Sequence, residues 1–152
     1  MIRPLQVEDT LAALELVNST GMFSHEERQM IEARIREHFV GAADSLWLTY
    51  DDQGLRGIVY CLAEPMTQGT WNMLMLLVRK ASQGQGVGSA LVQEAQKLLT
   101  AQEARLLIVE TSGTDDFEGA KKFYGKCGFT EVARIPDFYN AQDDKVIFTK
   151  SL

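Results

Sequence analysis

Metal-ligating residues are scarce in this chain, which has two histidines and two cysteines. His25 and His38 stand apart from each other and from Cys61 and Cys127, so no metal-binding spacing arises and no metal is expected. The cysteines fall on different expected elements and nothing marks an oxidising compartment, so both are read as free buried thiols. Basic residues are in the minority, 15 against 21 acidic ones, for a formal net charge of −6. A nucleic-acid surface needs a basic stripe to displace counterions, and that partner class is set aside. No apolar run approaches the roughly 20 residues of a bilayer span, and Met1-Ile2-Arg3-Pro4-Leu5-Gln6 lacks the apolar core of a signal peptide. The expectation is a cytoplasmic protein with no membrane partner. Repeats, low-complexity segments and linkers are also lacking, and 152 residues suit one domain over 1–152 with a sizeable core.

What is present is concentrated between Met73 and Leu99. Six apolar residues, Met73 to Val78, precede Gln83-Gly84-Gln85-Gly86-Val87-Gly88, and Leu91, Val92, Ala95, Leu98 and Leu99 follow at helical spacing. The run is too short for a free-standing helix and suits a strand covered on both faces, so the stretch reads strand, glycine turn, helix. Glycines let the backbone approach a ligand, and the unpaired N–H groups opening the helix aim at an anion. Three kinds of phosphate turn could leave this signature. A P-loop needs Lys then Ser or Thr after its last glycine, whereas Ser89 and Ala90 follow Gly88. A dinucleotide turn needs glycine where Ser89 stands and a strand near the start of its domain, but nearly half the chain comes first.

The third kind is a resemblance. Gln83-x-x-Gly86-x-Gly88 between an apolar strand and a helix resembles the acyl-CoA motif of the GNAT superfamily of N-acyltransferases. Phe123-Tyr124 followed by Gly128-Phe129 resembles the aromatic pair that closes the last helix of that family. The likeness runs from Ile2-Arg3 to the closing strand Asp143 to Phe148. It implies an α/β fold, a single mixed, bent and splayed β-sheet with helices on both faces. It also implies an acyl-CoA N-acetyltransferase using acetyl-CoA as co-substrate, with an amine acceptor that is a small molecule or a protein amino group. A homodimer is compatible with it. The alternative is a non-catalytic acyl-CoA-binding or regulatory module.

In chain order, Ile2 to Val7 is expected as a first strand, and Asp9 or Thr10 caps a helix with stripe Leu11, Leu14 and Val17. Ser24 with Glu27 fits a capping box opening a second helix, with Met30, Ile31, Ile35 and Phe39 as its buried stripe. The resemblance puts these helices over the acceptor site, making Phe23, Ser24 and His25 candidates for contact, although capping and packing also explain the first two. Leu46 to Tyr50 and Leu55 to Leu62 form a hairpin across Asp51-Asp52-Gln53-Gly54. Trp71 reads as core, with a pocket wall as the other role. Arg105 to Glu110 is a second continuous apolar strand, expected parallel to the first across the intervening helix. Thr111-Ser112-Gly113-Thr114 is expected as the loop at the opening between the two strands. Then come a helix over about Asp115 to Cys127, a strand from Phe129 to Arg134, a Pro136-Asp137-Phe138-Tyr139 loop and a strand from Lys145 to Lys150.

Acyl transfer to an amine needs a neutral amine, a polarised carbonyl and a proton for the leaving thiolate. The resemblance assigns backbone groups of Leu76, Leu77 and Val78 to pantetheine and the oxyanion. It assigns the turn Gln83, Gly84, Gln85, Gly86, Val87, Gly88 and Ser89 to pyrophosphate, and Thr111 to the opening. Tyr124 becomes the general acid, the other reading being a packed helix-end aromatic. Glu110 and Glu64, at strand ends, are the candidates for the base. Asn72 stands where relatives often carry an acidic residue, Lys80 where a proline is common and Phe117 where an asparagine is common. Gln83 replaces the commoner arginine.

Overall fold

Seven strands form one sheet in the order β1-β2-β3-β4-β5-β7-β6. The structure is a computed structural model and describes residues 1–152. The strands are β1 (Ile2–Pro4), β2 (Ser45–Asp51), β3 (Leu55–Ala63), β4 (Thr70–Val78), β5 (Leu106–Ser112), β6 (Thr130–Asn140) and β7 (Asp143–Ser151). The helices are α1 (Thr10–Ser19), α2 (His25–Phe39), α3 (Val87–Ala101) and α4 (Glu118–Lys126). β4 and β5 are the parallel pair, and α3 is the crossover that parallel neighbours need.

Two apolar layers lie on opposite faces of the sheet. Trp71, Met73, Leu107, Val109, Val146 and Phe148 meet Leu91, Val92, Ala95 and Leu99 of α3, with Phe123 and Tyr124 of α4 packed against them. Ile58, Tyr60, Met75 and Leu77 meet Leu16, Val17 and Ile35 of α1 and α2. Each Leu or Val buried in this way contributes about 1.5–3 kcal/mol. Trp71 is thus a core residue.

Two features of β4 shape everything downstream. Its register against β3 steps from Tyr60↔Met75 to Cys61↔Met73, leaving Leu74 without a partner in a β-bulge. Its pairing with β5 stops at Met73↔Val109, while β4 itself runs on to Val78 beside Gly57 of β3. The two parallel strands therefore splay beyond Met73. The N–H of Arg79 donates to the carbonyl of Arg56 on the β3 side. By alternation Leu77 and Met75 also turn their backbone groups to β3, and Val78 and Leu76 turn theirs to the side that β5 has left.

Several expected boundaries shift for identifiable reasons. The first strand ends at Pro4 rather than Val7, because Leu5 turns into the core and residues Val7–Asp9 wind into a 3₁₀ turn, with Asp9 accepting the N–H of Gln6. Arg3 clamps this corner, 2.7 Å from Asp9 and 2.8 Å from Asp51. On α1 the buried residues are Ala13, Leu16 and Val17, with Leu14 half-buried against the same layer, so of the expected stripe only Leu11, which faces solvent, is misplaced. On α2 the Ser24–Glu27 capping box forms, yet only Ile35 is fully buried, while Met30 and Phe39 are exposed. Thr111 and Ser112 belong to β5, paired with Val146 and Lys145, so the loop begins at Gly113. The expected Pro136–Tyr139 loop is part of the long β6, where the edge position tolerates the proline and pairing with β7 lapses between Ile135 and Asn140.

Candidate active site

The splay opens into a cleft of ≈ 600 Å³ between β4, the glycine turn, α3 and α4. Leu76 and Val78 form one wall, Gln83, Gly84, Gly86, Val87, Gly88 and Ser89 another, and Tyr124 a third. The turn takes its shape from left-handed residues. Gly84 has φ +75 and Gly86, the residue before α3, has φ +81, a region in which side chains cost energy. Gly88 serves differently: a Cβ there would lie 3.3 Å from the Phe123 ring and 3.6 Å from Val78, so its absence lets α3 close against α4 and β4.

None of the backbone N–H groups from Gly84 to Ser89 donates to an acceptor within the protein; the first bonded one is Ala90, to the carbonyl of Gly86. Consecutive free amides at a helix start make an anion-binding concavity, and the helix dipole adds to it. Lys126 brings a positive charge to the rim. The side-chain amide of Gln83 donates to the free carbonyl of Val78 at 3.2 Å, tying the turn to the strand edge.

Tyr124 is half-buried between the rings of Phe123, Phe129 and Phe148, at centroid distances of 5.4, 5.8 and 6.0 Å. Burial pushes its phenol up to about 12, and no protein group holds its hydroxyl. It therefore carries its proton throughout the neutral and mildly alkaline range.

Four expected site residues do not line the cleft with their side chains: Leu77, Gln85, Thr111 and Glu110. The Leu77 side chain is buried against the α1 and α2 layer and its backbone is turned to β3, so it offers the cleft nothing. The side chain of Gln85 folds back onto the carbonyl of Ala81 at 3.1 Å, leaving its main-chain N–H as its share of the turn. Thr111 is buried within β5 opposite Val146 and does not line the cleft. Glu110 sits one residue beyond the last β4–β5 pair, on the α1 and α2 face, where its carboxylate lies 3.1 Å from Lys145. Lys145 in turn stands 3.6 Å over the Phe138 ring. Glu64 is farther away: it accepts from the Asn72 side chain at 3.1 Å and lines a separate hollow beside Gly69 and Arg105. Of the acceptor-side candidates, Ser24 is engaged in its cap, His25 borders a polar hollow between α1 and α2, and Phe23 lines an apolar cavity under α2.

Sequence reading missed Ser82, Gly119, Ala120, Phe123 and Lys126 as cleft residues. A signal existed for two of them. Gly119 and Ala120 stand four residues before Phe123 and Tyr124, which puts small residues and aromatics on one helix face.

The model of the acetyltransferase (GNAT) domain matches residues 42–131, more than half of the chain. The chain belongs to the GNAT acetyltransferase family. GNAT enzymes use acetyl-CoA as their acyl donor. A protein assigned to the GNAT family from Desulfovibrio desulfuricans superposes with a TM-score of 0.93 at 28% identity, over 99% of this chain and 98% of that one. An aminoglycoside 6′-N-acetyltransferase complexed with coenzyme A gives 0.78 at 16% identity, over 99% and 96% of the two chains. The ribosomal-protein-S18-alanine N-acetyltransferase of Escherichia coli gives 0.78 at 17%, over 99% and 92%. These last two share the GNAT fold, and their acceptors differ from each other. No curated protein sequence matches the chain. No helix is long and apolar enough to cross a membrane.

Proposed function

We propose that this GNAT protein transfers the acetyl group of acetyl-CoA directly to a primary amine. One arrangement carries the reading: Tyr124, the vacated edge of Leu76 and Val78, and the turn of unpaired amides wall a single cleft. The cleft suits the donor on physical grounds. Its amides and Lys126 match a pyrophosphate, and the free edge of β4 offers pantetheine the N–H and carbonyl partners of a missing strand.

In the reaction the amine lone pair attacks the thioester carbonyl carbon, forming the C–N bond while the C–S bond breaks. The charge developing on the carbonyl oxygen falls on a backbone N–H of the free edge near Val78, a donor of the kind that contributes about 3 kcal/mol to such steps. The thiolate takes the Tyr124 proton. The proton lost by the amine passes to Glu110, directly or through one water, and solvent then carries a proton from Glu110 back to the Tyr124 phenolate, so both groups end each turnover as they began. That carboxylate lies at the mouth of the splay on the face opposite the donor cleft, from which an acceptor would approach.

The test is Tyr124→Phe. The expected result is a fall in kcat of about 10²-fold or more, the scale of general-acid catalysis, with coenzyme A affinity changed less than about twofold. Undiminished kcat would remove Tyr124 from the mechanism. Wild-type protein that binds acetyl-CoA by calorimetry, with Gly86→Glu as the non-binding control, yet releases no thiol with any amine would favour the non-catalytic module.

A further inference from the structure

Behind the bulge, under α2, lies an apolar cavity of ≈ 180 Å³. Phe23, Ile31, Trp47, Tyr60, Leu74 and Met75 form most of its wall. Leu74 follows Met73, the last β4 residue paired with β5, so the cavity abuts the place where the splay opens, on the face away from the donor cleft. An apolar cavity of about 150 Å³ accepts one benzene, so this pocket, open to solvent at Met30 and Leu74, seats a phenyl ring or a branched aliphatic group with the rest of the molecule outside.

The polar groups around it are few. Trp47 is stacked on Tyr60, with ring centroids 4.2 Å apart and planes 16° from parallel. Its indole Nε1–H is fully buried and has no acceptor in the protein. The nitrogen is covered on every side, so the indole offers whatever fills the cavity its apolar ring and no hydrogen bond. The charged residues on the wall are Glu27 and Arg34. Glu27 already accepts the Ser24 N–H at 3.1 Å, and Arg34 lies 2.8 Å from Glu37. One carboxylate balanced by one guanidinium gives no field for a polycation.

We infer that this cavity selects the acceptor, a small monoamine bearing one phenyl- or isobutyl-sized group. An amide of phenylalanine or leucine has this chemistry; polyamines and aminoglycosides do not. The inference rests on the acetyl-transfer reading for the reaction, but binding of the amine tests it independently.

Thiol release is measured at saturating acetyl-CoA with phenylalaninamide, leucinamide, glycinamide, spermidine and kanamycin, and tryptophan fluorescence follows phenylalaninamide binding without donor. The two bulky amides are expected to exceed the other three by at least tenfold in kcat/KM. Ile31→Phe, which fills the cavity, should reduce that advantage to less than threefold with acetyl-CoA affinity unchanged. Met30→Phe, at a largely exposed position lining the same cavity, repeats the test if the first variant does not fold. A preference for spermidine or kanamycin, equal use of glycinamide, or an advantage that survives both fillings would overturn the inference. Saturable phenylalaninamide binding that is lost on filling, without thiol release from any amine, would uphold the cavity's selectivity and count against acetyl transfer. Neither binding nor release with the bulky amides would overturn the inference outright.

Discussion

The glycine turn can be separated from ordinary loop glycines by a matched pair of substitutions. Gly86 and Gly41 have nearly the same backbone, φ +81 and +70, and at neither would an added Cβ meet any atom within 4 Å. Alanine at either site therefore pays the left-handed strain alone, about 1–2 kcal/mol. For a chain of this length that is a fall in Tm of about 2–8 °C, the same for both. Only Gly86 lines the cleft, so only there does the methyl group enter the space where the unpaired amides would meet phosphate. Loss of one hydrogen bond to a charged oxygen costs about 1.5–3 kcal/mol, or roughly 10- to 150-fold in Kd. Thermal unfolding gives the first quantity and calorimetric titration with coenzyme A the second. If Gly86→Ala binds within twofold of wild type, or Gly41→Ala loses as much affinity, the anion-site reasoning fails.

Three further outcomes follow from the packing and titration of other groups. A Cβ on Gly57 would stand 2.9 Å from Leu91 Cδ1, 3.0 Å from Val87 Cγ1 and 3.1 Å from the carbonyl oxygen of Leu77, and that last atom is backbone. Gly57→Ala should cost about 1–3 kcal/mol in urea unfolding, and an unchanged midpoint would contradict the tight seating of α3 on β3. Ser24→Ala removes the acceptor of the Glu27 N–H, 3.1 Å away, and should cost about 1 kcal/mol, with no loss if α2 is held by tertiary contacts alone. Burial pushes the Cys61 thiol from 9.0 up to about 12, so above pH 9 the unfolded chain loses a proton that the folded one retains. Cys61 should account for a loss of about 1 kcal/mol between pH 8 and 10, so Cys61→Ala should flatten the slope by that amount, leaving the share of Tyr124 and Cys127, which burial also raises; the same slope in both proteins would refute it.

The parts of the fold that were legible in the sequence are those governed by local pattern. The glycine turn, the α3 stripe and the two continuous apolar strands follow from burial on both faces, and Ser24 with Glu27 is a self-contained cap. What escaped depends on distant partners. Thr111 and Ser112 read as loop because their polar side chains mask a strand held by β7. Leu11 and Met30 read as core because a helix stripe cannot say which of two apolar arcs meets the sheet. The engagement of Glu110 with Lys145 joins residues 35 apart in the chain, and no spacing rule reaches that far. Trp47 drew no notice because an aromatic on a strand is unremarkable until its indole proves to lack a partner.

The unpaired Leu74 also sets the odd–even bookkeeping of β4. Before it, Trp71 and Met73 face α3; after it, Met75 and Leu77 face the opposite layer and Leu76 and Val78 take over the α3 side. A strand without the extra residue would present Met75 and Leu77 to the donor cleft instead, and send Leu76 and Val78 beneath α2. Any graft between this chain and a relative must therefore be aligned at that residue. A one-position frame error there would exchange the two sides of the active site while leaving the strand, its length and its hydrophobicity untouched.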